Sequence, residues 1–240
     1  AQDGANVGVF SLEMSREQLA LRILASEAEI DSHRLRLGLY TEAEEQRIID
    51  SIGRLSELPV YVDDTPFQGM VEMRSKSRRL SLEHGLDLLV VDYLQLIQGR
   101  GRGDNRVQEI GEISRSLKGM ARDLRIPVIA ISQLNRAIEQ RTSRRPRLSD
   151  LRESGSIEQD ADVVMFIHRE DKTTTEEEWN RTQPTQPYPR GQAILIIEKH
   201  RNGPTDQIEM RVRDSIGIFE ELSFQTQVTT SQAIQTEVPR

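Results

Sequence analysis

Cysteine is missing altogether from these 240 residues, which excludes disulfides and thiolate metal sites and agrees with a reducing cytosol. No apolar run approaches the ~18 residues that a membrane-spanning helix requires. No charged-then-apolar leader opens the chain, and no segment repeats. Lysine is scarce: Lys76, Lys118, Lys172 and Lys199 are the only four, so nearly all positive charge is arginine. What remains is 36% hydrophobic and 30% charged, the balance of a soluble globular chain rather than a disordered one. The length suffices for one large α/β domain with a buried core, or for two small ones.

The formal net charge of −7, taken as a sum, argues against a nucleic-acid partner. Its distribution argues otherwise. Acidic residues crowd into Glu42–Glu45 and Glu176–Glu178, whereas Arg136, Arg141, Arg144, Arg145, Arg147 and Arg152 face only Glu139, Asp150 and Glu153. A basic loop on an acidic body is compatible with binding a phosphate backbone, and equally with a solvated arginine-rich loop.

Apolar runs alternate with helical periods, the pattern of a mostly parallel sheet flanked by helices. Val7–Phe10 reads as a short buried strand. Ser15-Arg-Glu-Gln is a capping box opening a helix that turns Leu19, Ile23 and Leu24 inward. Thr41 to Glu44 is a second box, followed by Ile48, Ile49, Ile52 and Leu55 on one face, until Pro59 stops the helix and Val60–Val62 resumes a strand. A third helix is expected from near Gly69 to His84. Leu88–Val91 is the strongest strand signal and ends at Asp92. Gly99 to Gly103 reads as a loop, and the spacing of Val107, Ile110, Ile113, Leu117, Met120 and Leu124 predicts a long amphipathic helix. Strands are expected at Pro127–Ser132, Asp162–His168, Ala193–Glu198 and Gln207–Arg213. Between them, Asp171 to Arg190 is polar and proline-bearing and reads as a surface excursion or partly disordered loop. Beyond Phe224 the chain turns Gln/Thr/Ser-rich and reads as a tail.

Three of these strands end in polar side chains. Asp92 closes an apolar strand, a position where open α/β sheets bind ligands and where a carboxylate can hold Mg²⁺ beside nucleotide phosphates. Glu13 follows the first strand and could orient a water and take its proton; as a plain structural residue it would favour the positive end of the following helix. Gln133 ends the strand over Val128–Ser132, where an amide could contact a phosphate or simply leave the sheet. Lys199-His-Arg-Asn-Gly-Pro204 reads as a tight turn after a strong strand. It fixes Lys199 and Arg201 where they could reach a phosphate, even one held by a neighbouring subunit. In Asp150–Asp162, a glycine flanked by serines could mark a moving or phosphate-facing loop, and local physics singles out no chemistry.

Taken together, Phe10-Ser-Leu-Glu-Met-Ser15, Val91-Asp-Tyr-Leu-Gln-Leu96, Ser132-Gln-Leu-Asn-Arg136, Leu151-Arg-Glu-Ser-Gly-Ser-Ile-Glu-Gln-Asp-Ala161 and Lys199-His-Arg-Asn-Gly-Pro204 resemble the C-terminal motor domain of DnaB-type replicative helicases. The resemblance runs in order from Val7 to Leu222. It implies a RecA-like α/β fold, a mostly parallel twisted sheet flanked by helices, in a homohexameric ring that moves 5′-to-3′ on single-stranded DNA using ATP and Mg²⁺. It implies that Glu13 is the catalytic base, Asp92 the Mg²⁺-side acid, holding the ion through a water, and Gln133 the γ-phosphate sensor. Lys199 and Arg201 match the family's trans-acting cations, with Arg201 the arginine finger. Gly99–Arg106 and Arg136–Arg147 match loops facing the central channel, which places Arg106, Arg136 and Arg145 near DNA. Primase and a helicase loader are the implied partners, and the cytoplasm of a bacterium or phage host the implied location.

The sequence departs from the family twice. Gly-x4-Gly-Lys-Ser/Thr is absent. The simplest account is truncation, giving residues 1–224 as a motor domain without its phosphate loop and 225–240 as a polar tail. Asp206 stands where the family usually has glycine after the Arg-Asn-Gly-Pro turn. A recombinase or loader ATPase of the same fold, and a catalytically silent ring or DNA-binding subunit, remain alternatives to the helicase.

Overall fold

In the computed structural model, residues 1–99, 106–141 and 143–222 are described, with 152–155 as backbone only. β1 (Val7–Ser11) leads through a short loop into α1 (Arg16–Glu27), where the Ser15–Gln18 capping box forms as expected. α2 (Ser32–Arg36) has no apolar period to announce it; the Asp31 carboxylate nucleates it by accepting from the His33 and Arg34 amides, both at 2.9 Å. α3 (Glu42–Ser56) starts on the Thr41–Glu44 box. Glu44 also receives both Nη atoms of Arg34 at 2.9 Å, which ties α2 to α3. β2 (Val60–Asp63) and α4 (Met70–Glu83) follow, then β3 (Leu88–Asp92) and a 3-10 turn at Leu94–Leu96. α5 (Arg106–Leu124) buries Ile110, Ile113, Leu117 and Met120 and leads to β4 (Val128–Ala130). The loop expected at Gly99–Gly103 lies outside the described residues from 100 onward, as does the tail beyond Phe224.

The first four strands form a parallel sheet in the order β2-β1-β3-β4, with Ser11 opposite Asp92 and Val91 opposite Ala130. The rest of the chain builds α6 (Gly155–Asp160), β5 (Val163–His168), α7 (Glu170–Thr173), α8 (Glu176–Thr182), β6 (Gln192–His200), β7 (Asp206–Arg213) and β8 (Ile218–Glu221). Here β5-β6-β7-β8 is antiparallel throughout. The five residues 201–205 between β6 and β7 allow only a hairpin, because a parallel return needs a crossover of about a dozen residues or more. Both sheets share one core, in which Phe10, Leu89 and Val91 meet Ile113, Leu117, Val164, Phe166 and Ile196.

Several expectations change. On α3 the inward face is Ile48, Ser51 and Leu55, while Ile49 and Ile52 point to solvent; Ile23 of α1 and Val107 of α5 are exposed as well. Asp171 to Arg190 is a folded excursion rather than a bare loop. Thr175 caps α8, the Trp179 indole donates to the Gln186 carbonyl at 3.1 Å, and the Tyr188 hydroxyl donates to the Thr174 and Asp171 carbonyls. These bonds replace the apolar period that the segment lacks.

β4 pairs only with β3, and β5 only with β6, among the described residues. Ile129 and Ile131, together with Val163, Met165 and Ile167 on the open face of β5, are left 40–56% exposed. No helix among the described residues is long and apolar enough to cross a membrane.

Candidate functional site

Parallel pairing puts the carboxyl ends of β2, β1, β3 and β4 along one edge of the sheet, and Glu13, Asp92 and Gln133 all lie there. The backbone around Glu13 is fixed from three directions. The Leu12 amide donates to the Asp92 carbonyl at 2.7 Å, the buried Ser11 hydroxyl donates to the Met14 carbonyl at 2.7 Å, and the Arg16 amide donates to the Asp64 carboxylate at 2.9 Å. The Glu13 carboxylate itself is exposed and takes no hydrogen bond from another described residue. Asp92 is half-buried and its carboxylate is equally free; the peptide bond that follows it is cis.

Gln133 is held by a residue whose importance its sequence position does not disclose. The Gln95 amide donates to the Ser132 hydroxyl at 3.0 Å and to the Gln133 carbonyl at 3.2 Å, and its oxygen accepts from the Gln133 amide at 3.2 Å. Gln95 thus fastens the end of β4 to the turn after β3 and leaves the Gln133 side chain exposed. In the sequence it is marked only as a member of the Val91–Leu96 motif, three residues after Asp92.

Lys199 and Arg201 lie elsewhere, on the last turn of α6. The Lys199 ammonium donates to the Ala161 carbonyl at 2.8 Å and to the Glu158 carbonyl; an Arg201 Nη donates to the Gln159 carbonyl at 2.9 Å. Cations suit the negative end of a helix, where terminal carbonyls have no intrahelical donors. The Arg201 amide donates to the Asp162 carbonyl at 2.8 Å, and its guanidinium stands 3.4 Å from the Asp162 carboxylate, which also pairs with Lys118. Lys118 above all, then Arg201 and Lys199, hold the Asp162 carboxyl below its usual range. The connection from β6 to β7 is wider than a two-residue Asn-Gly turn. Gly203 serves it by space: a Cβ there would sit 2.5 Å from the His200 ring. Asp206 pairs with Ile197 as the first residue of β7.

Among the described residues, no hydrogen bond or ion pair joins the two groups. Arg106, at the start of α5, contacts the Gln95 carbonyl and Glu109, whereas Lys118, tied to Asp162, comes twelve residues later. At 1.5 Å per residue, that is about 18 Å of helix.

The residues expected near DNA differ in their surroundings. Arg106 is engaged as described. Arg136 is exposed and unpaired among the described residues, on a turn where Asn135 caps the Ala137 amide at 2.9 Å. Arg145 is half-buried with one Nη lacking a partner, while its carbonyl accepts from Arg141, which Asp150 holds at 2.6 Å. No three His, Cys, Asp or Glu side chains gather into a metal cage among the described residues. Asp92 alone supplies one hard carboxylate, which fits Mg²⁺: that ion keeps several waters and is held by one or two carboxylates plus phosphates.

Known proteins resemble this chain over most of its length. The family model described as "DnaB-like helicase C terminal domain" matches residues 1–221. The replicative DNA helicase DnaB of Geobacillus stearothermophilus is 47% identical over 206 residues, covering 85% of this chain and 43% of that protein. The DnaB of Rickettsia typhi is 45% identical over 239 residues, covering 94% of this chain and 47% of that protein. A solved structure of a DnaB-like replicative helicase and its interactions with primase superimposes with a TM-score of 0.82 at 31% identity, covering 92% of this chain and 51% of that one. The chain therefore spans less than half the length of these curated relatives, and over that span it belongs to the DnaB-like helicase C-terminal domain family.

Proposed function

We propose that the chain is the motor portion of an ATP-dependent replicative DNA helicase that works as a hexameric ring, moving 5′-to-3′ on single-stranded DNA in the cytoplasm of a bacterium or phage host. The observation that carries this reading is the convergence of Glu13, Asp92 and Gln133 on one carboxyl edge of the parallel sheet, with the matching family motifs around each. Bound ATP and Mg²⁺ would supply the transferable γ-phosphoryl group and the cation that neutralises its charge. Glu13 takes the proton of the attacking water, its backbone fixed and its carboxylate unencumbered. Asp92 would hold the Mg²⁺ side, and Gln133 would contact the γ-phosphate and pass its state to the arginine-rich loop.

Lys199 and Arg201 act on the nucleotide of an adjacent subunit. Their distance along α5 from the sheet edge supports action in trans over action in cis. Residues 1–224 form the motor and 225–240 a tail. The Gly-x4-Gly-Lys-Ser/Thr loop that would cradle the phosphates in this reading is not among the 240 residues. DNA contacts come from Arg106, Arg136 and Arg145, and primase and a helicase loader bind the assembled ring.

Glu13→Gln in the full-length protein tests this assignment. ATP binding is expected to persist while turnover falls by roughly 10²–10⁴, the usual contribution of a positioned general base. DNA-stimulated hydrolysis close to that of the parent would overturn it.

A further inference from the structure

One face of α5 carries more positive charge than the roles above use. Arg115, Lys118 and Arg122 recur at intervals of three and four, so their side chains share a side of the helix. Together with Arg201, and beside Gln159 and Asp160, they line a cavity of about 290 Å³. Lys118 and Arg201 share the single carboxylate of Asp162. Arg115 and Arg122 are exposed and meet no acid among the described residues. The one aspartate of that helix, Asp123, pairs with Arg74 and Arg78 instead.

Four cations line one small cavity against two carboxylates, the shared one of Asp162 and that of Asp160, whose Oδ2 is buried without a hydrogen-bond partner among the described residues; the balance is a local positive potential on a chain whose net charge is −7. Guanidinium forks match phosphate oxygens two at a time, and a guanidinium cannot relieve the repulsion by losing its proton. The cavity is just below the ~300–1,000 Å³ of a site that encloses a whole small molecule. It has room for a phosphate tail and not for a base and sugar as well. Arg201 sets the direction: the family's trans-acting arginine opens into the same space.

We infer that this cavity is a polyphosphate subsite, in which Arg115 and Arg122 join Arg201 in receiving the phosphate tail of a nucleotide held by the adjacent subunit. The inference rests on the trans-acting reading of Arg201, so its tests are chosen to fail separately. The 240-residue chain has no Gly-x4-Gly-Lys-Ser/Thr loop of its own, so calorimetric titration with inorganic tripolyphosphate reads the cavity directly. One site is expected. It should weaken roughly tenfold or more in Arg115→Gln/Arg122→Gln, as loss of charge-assisted hydrogen bonds implies, and stay unchanged in Arg181→Gln on α8. Equal binding by the double variant, or none by the parent chain, overturns the subsite whatever Arg201 does.

In the full-length ring, the double variant should raise the KM for ATP and weaken binding of a fluorescent ATP analogue, more at low salt than at high. An unchanged affinity overturns the nucleotide as ligand. So does a single-stranded oligonucleotide that displaces tripolyphosphate more effectively than ATP does. Full turnover in Arg201→Ala rings, with weakened ATP binding in the double variant, would remove the finger and leave the subsite standing.

Discussion

At the carboxyl edge of the parallel sheet, the backbone is tied down and the reactive side chains are loose; at the β6–β7 turn, the side chains themselves are tied down. Glu13 and Asp92 take no hydrogen bonds from described residues, although the main chain beside them is held by the Asp92 carbonyl and by the side chains of Ser11 and Asp64. Lys199 and Arg201 rest on carbonyls of α6 and on Asp162 of their own subunit. The first arrangement suits groups whose charge must remain available to a ligand and a water. The second suits groups that must be presented at a fixed height on a surface, aimed away from their own sheet edge. Arginine fits the second task because it has five donors: two or three can grip the α6 end while the rest face outward.

The largest effect should come from separating the two regions onto different subunits. Arg201→Ala in the full-length ring is expected to lower turnover by roughly 10³–10⁵, the range measured for arginine fingers. Arg201→Ala subunits mixed with Glu13→Gln subunits should recover part of the activity, because some interfaces then pair an intact Glu13 with an intact Arg201. Steady-state ATPase assays across mixing ratios check this. No recovery at any ratio would place both residues in one subunit's site and collapse the comparison.

What was legible in the sequence follows the same division. Capping boxes at Ser15 and Thr41 are local, three residues long, and form as written. The strand ending at Asp92 and the period of α5 are local too. Ile49 and Ile52 satisfy a helical period equally well, yet they face solvent, because which side of α3 packs is decided by Leu35 and Ala25 from other helices. Residues 170–182 form helices on hydrogen bonds from distant side chains such as Tyr188, which no period records. At the site, family motifs point to Glu13, Asp92 and Gln133. Gln95 stayed hidden because its partners lie 37 and 38 residues away, and the seating of Lys199 and Arg201 stayed hidden because α6 meets them only in the fold.

Gln95 is the exception that sharpens the contrast, being a side chain at the sheet edge spent wholly on scaffolding. Gln95→Ala removes three hydrogen bonds from the Ser132–Gln133 segment. Turnover in the full-length protein should fall roughly tenfold with the KM for ATP little changed, the signature of an interaction realised in the transition state. A raised KM with kcat intact would instead assign Gln95 to ground-state binding.

The smallest effect concerns Asp162, which anchors the turn from a half-exposed position. Its folded pKa is depressed, by Lys118 first and then Arg201 and Lys199. A depressed carboxyl contributes stability that is fully present above the unfolded value, near 3.9, and is lost as pH falls through the lower folded value. Asp162→Asn should therefore lower Tm by a nearly constant amount from pH 8 to about pH 5, and the gap should close below about pH 4. Because the Asp162 side chain is 53% exposed, solvent screening holds the contribution to about 0.5 kcal/mol, or roughly 1–2 °C for a chain of this size. Thermal melts of parent and variant over that pH range decide it. A gap that widens in acid would mean that Asp162 is a burden which Lys118 and Arg201 tolerate, and the anchoring of Arg201 would then have to come from the α6 carbonyls alone.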